Sequence, residues 1–361
     1  MSERTVRVPV GEGYLIHVGS GNLGTVGQKL AAQDQRTVVV ISNASIIKLY
    51  GETVESSLRE AGLLYHILEV PEGESSKSLA VVGDVHERLA GLDVRRGSLI
   101  VALGGGVIGD LAGFVAATYM RGLPFVQVPT TLVAQTDSSV GGKVGVNLKA
   151  GKNLVGSFYQ PRFVLIDVDT LASLPVREVR AGLAEVIKYG FIRDKGFLSY
   201  VDKNVGRMFE GDGGVLAKVI VRCCELKAEI VGMDEKDLGE RRVLNYGHTL
   251  GHAFEALTGY TRYLHGEAVS IGMVGASLIA RKLGIASPEL VDRHIDILKK
   301  AGLPVEAPQV SVAQVIDVCR LDKKNWGGEM IFVLLKGVAQ PEVVKLTDQD
   351  LAAALDGFLG S

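Results

Sequence analysis

Cysteine is scarce in this chain, three residues in 361, and the three are badly placed for pairing: Cys223 and Cys224 are adjacent and Cys319 is far away. This excludes a disulfide framework and a Cys-x-x-Cys zinc pattern, and leaves buried structural thiols as the reading. Long apolar runs are missing as well. The opening Met1-Ser-Glu-Arg-Thr-Val-Arg-Val has no signal-peptide core, and no later stretch is long and apolar enough to span a bilayer. No membrane partner is therefore expected, and the chain reads as cytoplasmic. Nor is there an excess of charge of one sign. A net charge of −2 offers no broad attraction for nucleic acid or anionic lipid, so any basic site must be local. Internal repeats, low-complexity linkers and heptad runs are also absent.

What is present is apolar material, 47% of residues against 22% charged, in a chain longer than one hydrophobic core usually supports. Two domains are expected. Up to about Asp169, β-branched runs alternate with helix-length segments: Tyr14–Val18, Thr37–Ser42, Leu64–Val70, Ser98–Leu103, Phe125–Pro129 and Phe163–Asp167. Strands spaced this way imply βα crossovers and a mostly parallel sheet, hence an α/β nucleotide-binding domain over residues 1–174. Beyond Leu174-Pro175 the period changes to that of helices, in Arg177–Tyr189, Gly214–Val231, Tyr246–Leu257, Gly266–Leu283 and Pro288–Ala301. Residues 175–361 should thus form a mainly α-helical domain, with Met330–Leu335 and Glu342–Leu346 as a small hairpin. A cleft between the two domains is the expected ligand site.

The run Ser98–Leu103 leads into Gly104-Gly105-Gly106-Val107-Ile108-Gly109-Asp110 and then an alanine-rich helical stretch. Strand, Gly-x-Gly-x-x-Gly and helix in that order suit a pyrophosphate, because glycine lets the backbone approach and the helix N-terminus attracts the anion. The pattern departs from the ordinary dinucleotide fingerprint, since Pro129 and Thr130 stand where an acidic residue would bind the ribose. Further on, Gln135–Lys143 and Lys149–Asn153 interleave hydroxyls, glycines and lysines on what reads as a phosphate-binding loop folded onto a surface.

Seven histidines occur, and three fall within eighteen residues: His248 and His252 in Asn245–His252, and His265 before Gly266-Glu267. Such crowding points to a metal or to proton transfer. His248 and His252 are four apart and share a helical face, which by spacing makes them a ligand pair with Glu185 as third donor; His265, on a loop before the next helix, competes for a place. Glu185 and Lys188, three apart in an apolar helix, are either a surface ion pair or a buried pair kept for a ligand. Two histidines and one glutamate with an open position describe a catalytic metal site. His17, His66, His86 and His294 lack such company and read as ordinary structural residues.

Taken in order, Gly104–Asp110, Pro129-Thr130-Thr131-Leu132, Asp137–Lys143, Glu185–Lys188, Asn245–His252 and His265-Gly266-Glu267 resemble the sugar phosphate cyclases, with the match running from about residue 70 to residue 336. Within that family the likeness is strongest to the branch that closes a seven-carbon keto-acid phosphate, 3-deoxy-D-arabino-heptulosonate 7-phosphate, into a carbocycle on the shikimate route to aromatic amino acids. The resemblance implies an NAD-dependent, phosphate-eliminating lyase that works through transient oxidation by NAD, elimination, reduction, ring opening and aldol closure. It implies metal ligands at Glu185, His248 and His265, displacing His252, and a divalent ion for which zinc and cobalt suit equally. NAD contacts are implied at Asn43, Glu74, Lys77, Gly105, Gly106, Asp110, Thr130, Thr131, Asp137, Lys152 and Asn153. Substrate contacts are implied at Arg121, Lys143, Lys188, Lys227, Arg241, Asn245, His252 and Lys336. A homodimer acting on a small sugar phosphate is the expected state.

Overall fold

The computed structural model describes residues 3–33, 37–320 and 330–359. The chain divides into two compact units, one formed by Met1–Leu174 with Gly213–Lys236, the other by Pro175–Asp212 with Asp237–Ser361. The first unit is built on strands β1 (Arg4–Val8), β2 (Tyr14–Gly19), β3 (Thr37–Ser42), β4 (Leu64–Glu69), β5 (Ser98–Gly104), β6 (Phe125–Pro129) and β9 (Phe163–Asp167). They form one sheet in the order β1-β2-β9-β6-β5-β3-β4, parallel throughout except for the antiparallel β1–β2 pair at one edge. Helices α1 (Val26–Ala31), α2 (Ala44–Glu60), α3 (Leu79–Gly91) and α4 (Gly106–Thr118) connect the strands.

The continuous apolar runs are explained by burial on both faces of this sheet. Along β3 and β5, Val39, Ile41, Ile100 and Ala102 enter one core with the apolar sides of α3 and α4. Their neighbours Val38, Val40, Leu99 and Val101 enter the opposite core with Val54 and Leu58 of α2. The alternation follows from the two-residue repeat of a strand.

Two features differ from expectation. Residues 143–158 form an antiparallel hairpin, β7 (Lys143–Leu148) with β8 (Gly151–Phe158), rather than a loop. Val144 and Val146 alternate into the core against α4, while Gly145 and Gly156 allow the two backbones to meet where a Cβ on Gly145 would lie 2.5 Å from the Val155 carbonyl. The preceding residues Ala134–Ser138 form a turn of π-helical form, and residues 139–142 remain irregular up to the start of β7. The second difference concerns the division at 174 and 175. Helix α7 (Gly213–Met233) belongs with the sheet unit, because its apolar positions bury against β1, β2 and the turn at Ala134–Ser138, with the Cys224 thiol 3.3 Å from the Gln135 carbonyl.

The second unit contains α5 (Val176–Ile192), α6 (Lys195–Phe209), α8 (His248–Leu257), α9 (His265–Lys282), α10 (Pro288–Lys300), α11 (Val312–Arg320), α12 (Asp348–Leu355) and the hairpin β10 (Met330–Gly337) with β11 (Gln340–Leu346). α9 is the hub and packs on α5, α8, α10 and α12. Glycine makes the closest of these approaches possible: a Cβ on Gly266 would lie 1.8 Å from the Ala181 carbonyl of α5, and one on Gly272 would lie 1.9 Å from the Gly247 carbonyl ahead of α8. The N-terminus of α9 is fixed twice, by Glu267 accepting from the Leu264 amide at 2.9 Å and by Arg177 of α5 donating to both Glu267 oxygens at 2.8 Å.

Gly266→Ala is therefore expected to lower unfolding free energy by about 1–3 kcal/mol or more, because backbone and not a flexible side chain must yield. Gly206→Ala in α6, with open space around its Cβ, should instead be neutral or stabilising by about 0.4–1 kcal/mol. Urea denaturation of the two variants tests the contrast, and equal effects would contradict the packing described.

Candidate active site

In the second unit, three helices each contribute one donor to a single point. Glu185 lies nine residues into the apolar helix α5, so its carboxylate is fully buried, and Lys188 one turn later is buried beside it as its ion-pair partner. The bland alternative of a surface pair is thereby removed. His248 opens α8 and His265 opens α9; the latter is the first helical residue rather than part of a preceding loop. Their Nε2 atoms lie 3.5 Å and 3.6 Å from the same Glu185 oxygen, Oε1.

The opposite ring nitrogens decide what those Nε2 atoms carry. His248 Nδ1 lies 3.1 Å from the Tyr246 carbonyl, which can only accept, so Nδ1 holds the proton and Nε2 presents a lone pair. His265 Nδ1 lies 3.2 Å from Oε2 of Glu255, a carboxylate on α8 that is 4% exposed. Burial, with the nearby Lys188, His265 and His252 charges, holds His248 well below the usual imidazole range. For His265 burial presses in the same direction, but the hydrogen bond and charge of Glu255, with the charge of Glu185, outweigh it and hold the ring above the usual range.

A buried carboxylate oxygen without a hydrogen-bond donor among the described residues thus faces two imidazole Nε2 atoms, an arrangement that, once both rings are neutral with lone pairs turned inward, repels unless a cation lies between them. The spacing suits one. Ligands at zinc bond lengths of about 2.0–2.2 Å stand about 3.3–3.6 Å apart at the corners of a tetrahedron, and the outer ring nitrogens already have the carbonyl and carboxylate partners that ligating histidines use. The donor set therefore fits a divalent metal. Donor atoms of Glu185, His248 and His265 lie mutually within 4.8 Å, as do those of His252, Glu255 and His265, whereas His248, His252 and Glu185 do not form such a group among the described residues. The four-residue spacing is satisfied on the helix, yet the His248 and His252 rings stand nearly perpendicular with centroids 5.5 Å apart. His252 is exposed and its ring lies alongside His265, 5.7 Å between centroids.

Elsewhere in the second unit Arg241 is buried, and Asn245 donates to the Arg242 carbonyl at 3.1 Å. Lys336, near the end of β10, is exposed and paired with Glu342 of β11 at 3.1 Å. His294 is a core residue: its ring stacks on Phe191, Nδ1 donates to the Leu290 carbonyl and Nε2 meets the Tyr246 hydroxyl at 2.8 Å, bracing the segment that enters α8. Sequence reasoning missed Glu255. Its signal was its place seven residues after His248 and three after His252, on the same helical face and amid apolar neighbours.

The first unit supplies a different constellation. β5 ends at Gly104, whose φ of +154° favours glycine, and Gly105 and Gly106 open α4. A Cβ on Gly105 would lie 3.0 Å from the Thr131 methyl and one on Gly106 would lie 2.9 Å from the Ser138 hydroxyl, so the turn is a close cradle. Beside it the Thr130 and Ser139 hydroxyls are buried without a hydrogen-bond partner among the described residues. Glycine amides at a helix start with orphan hydroxyls nearby are groups that a pyrophosphate can satisfy. Lys77, 5% exposed, organises the flank: Nζ donates to Asp110 at 2.6 Å and to Asn153 at 2.7 Å, while Glu74 accepts from Asn147 at 2.7 Å. Asn147 also accepts from the Asn153 amide, which lets the hairpin hold Asn153 at a φ of +55° next to Lys152. Asn43 caps α2, accepting from the Ile46 amide at 3.1 Å. Lys227 of α7 pairs with Asp137 at 2.9 Å. Arg121 and Lys143 are exposed, the former in a left-handed turn with φ of +66°.

Comparison with known proteins is consistent over the whole chain. Residues 67–181 match the family described as 3-dehydroquinate synthase N-terminal, and residues 182–325 match 3-dehydroquinate synthase C-terminal. A 3-dehydroquinate synthase of Pelobacter propionicus is 49% identical over 94% of each chain. Among solved structures, 2-deoxy-scyllo-inosose synthase complexed with carbaglucose-6-phosphate, NAD+ and Co2+ superposes with a TM-score of 0.89 at 27% identity, covering 98% of this chain and 99% of that one. A 2-epi-5-epi-valiolone synthase from Streptomyces hygroscopicus subsp. jinggangensis, with NAD+ and Zn2+ bound, gives 0.87 at 27% identity, covering 96% of each.

Because burial holds His248 below the usual imidazole range while Glu255 and Glu185 hold His265 above it, a metal entering this site should compete with a proton at His265 and not at His248. Affinity for zinc is expected to climb about tenfold per pH unit up to the raised His265 pKa, and then to level off. Competition against a chromophoric chelator across pH measures the slope. A slope of two protons, or binding unaffected by Glu185→Gln, would contradict the geometry.

Proposed function

We propose, because the chain belongs to the 3-dehydroquinate synthase family, that it converts 3-deoxy-D-arabino-heptulosonate 7-phosphate into 3-dehydroquinate and phosphate, with Glu185, His248 and His265 as ligands of a divalent metal. It is a carbon–oxygen lyase of the shikimate route that depends on NAD and a metal. The observation that carries the site assignment is the buried Glu185 oxygen met by two imidazole Nε2 atoms at 3.5 Å and 3.6 Å. When bound, NAD would accept a hydride and return it, so that no net oxidation results, and a metal held by Glu185, His248 and His265 would acidify substrate hydroxyls.

The chain's own groups hold and orient the reactants. Asn43, Glu74, Lys77, Asp110, Asp137, Thr130 and Thr131, with the amides of Gly105 and Gly106, bind NAD; Lys77 takes the central place because its ammonium ties Asp110 to Asn153. Lys152 and Asn153 belong to the NAD contacts as well and, with Arg121, receive the substrate phosphate, with His252 as the exposed imidazole that hydrogen-bonds it or moves a proton. Lys227 and Lys336 favour a substrate bearing a carboxylate, which separates this chain from cyclases whose sugar phosphates carry none. Lys188, Lys143, Arg241 and Asn245 complete the contacts. Lys188 and Arg241 are buried, and cations held in place before the substrate arrives stabilise developing negative charge without reorganising. A homodimer and a cytoplasmic location belong to the same proposal on the family likeness; sedimentation velocity tests the first.

Incubation with the heptulosonate phosphate, NAD and zinc should release phosphate and form the carbocycle in equal amounts with no lasting NADH. Thorough chelation should abolish both, and added zinc or cobalt should restore them. NADH that accumulates in step with turnover would mark a dehydrogenase instead, and full activity after chelation would remove the metal assignment.

A further inference from the structure

We infer that Glu255 is a positioning residue for the metal site, holding the His265 ring with its Nδ1 proton toward the α8 carboxylate and its Nε2 lone pair toward Glu185. The inference rests on the proposed ligand set of Glu185, His248 and His265. Two carboxylates compete for the single proton of a neutral His265 ring: Glu255 Oε2 lies 3.2 Å from Nδ1, and Glu185 Oε1 lies 3.6 Å from Nε2. A proton on Nε2 would satisfy Glu185 and close the position to a metal. A proton on Nδ1 leaves the lone pair available, and the shorter contact favours this tautomer.

His248 meets the same requirement by a different route. Its Nδ1 is tied to the Tyr246 backbone carbonyl, a fixed acceptor that no side-chain change removes. His265 has greater freedom, with 39% of its side chain exposed at the first residue of a helix, and its orientation depends on a side chain. Glu255 is suited to the task because it is 4% exposed on α8, one of the three ligand helices, so its own position is set by packing. A carboxylate at that nitrogen also makes the imidazole a stronger donor than a neutral acceptor would.

The test uses the full chain and two readouts. In metal-free protein, at a pH where the ring is neutral, nitrogen NMR of the His265 imidazole should show the Nδ1–H tautomer, and Glu255→Ala should shift it toward Nε2–H. Zinc affinity by chelator competition should fall about 10- to 100-fold in Glu255→Ala. Glu255→Gln, which keeps an acceptor oxygen and loses the charge, should fall between the alanine variant and the parent. Should the alanine variant fail to fold, the glutamine variant and the parent spectrum decide the matter. Affinities within twofold of the parent in every folded variant, or a parent already in the Nε2–H tautomer, would overturn the inference while leaving the ligand set intact. A parent that binds no zinc, or that binds it as tightly after Glu185→Gln, would overturn both.

Discussion

The second unit depends on one electrostatic requirement, that the fully buried Glu185 carboxylate be compensated. Placing an anion nine residues into an apolar helix has a large desolvation cost, and the Lys188 ammonium meets only one side of it. The other oxygen faces two imidazole nitrogens whose outer partners, the Tyr246 carbonyl and the Glu255 carboxylate, turn acceptor lone pairs inward. With both rings neutral the arrangement is unfavourable by itself and favourable with a cation between them, so helix packing and the chemistry the site suits are one problem. The glycines at 266 and 272 contribute to its solution by letting α9 approach α5 and the start of α8 at backbone contact.

The sheet unit solves a different problem, binding a polyanion without a broad positive surface. Its donors are local: a glycine turn that ends β5 and opens α4, two buried hydroxyls with unused capacity, and Lys77 held between Asp110 and Asn153. A chain of net charge −2 can thus still present a local site suited to an anion, because amides at close range act where long-range attraction does not.

Much of this is legible in the residues alone. The runs of β3, β5, β6 and β9 read as strands because parallel strands buried on both faces must be apolar at nearly every position, while those of β2 and β4 are partly exposed. The glycine turn lies where strand and helix patterns meet. Sequence and fold part where composition and environment disagree. Residues 143–158 carry glycines, lysines and a serine, the composition of a loop, yet Val144 and Val146 alternate at the strand period and bury. Helix α7 shows its period but not its neighbours, and it follows two helices of the other unit in sequence before packing on β1. Glu255 looks like an ordinary solvent-facing acid until the fold places His265 against it.

Apart from the hairpin at 143–158, the sequence by itself determined most element types, the glycine turn and the candidate donor residues, because backbone preference, burial period and side-chain chemistry are local properties. Tertiary structure decided which donors meet. His248 and His252 are neighbours along one helix, but the donors that meet His248 are His265, seventeen residues after it, and Glu185, sixty-three residues before it. Helical spacing sets the distance between two side chains on one helix, whereas the point where three helices aim their side chains depends on how closely those helices pack.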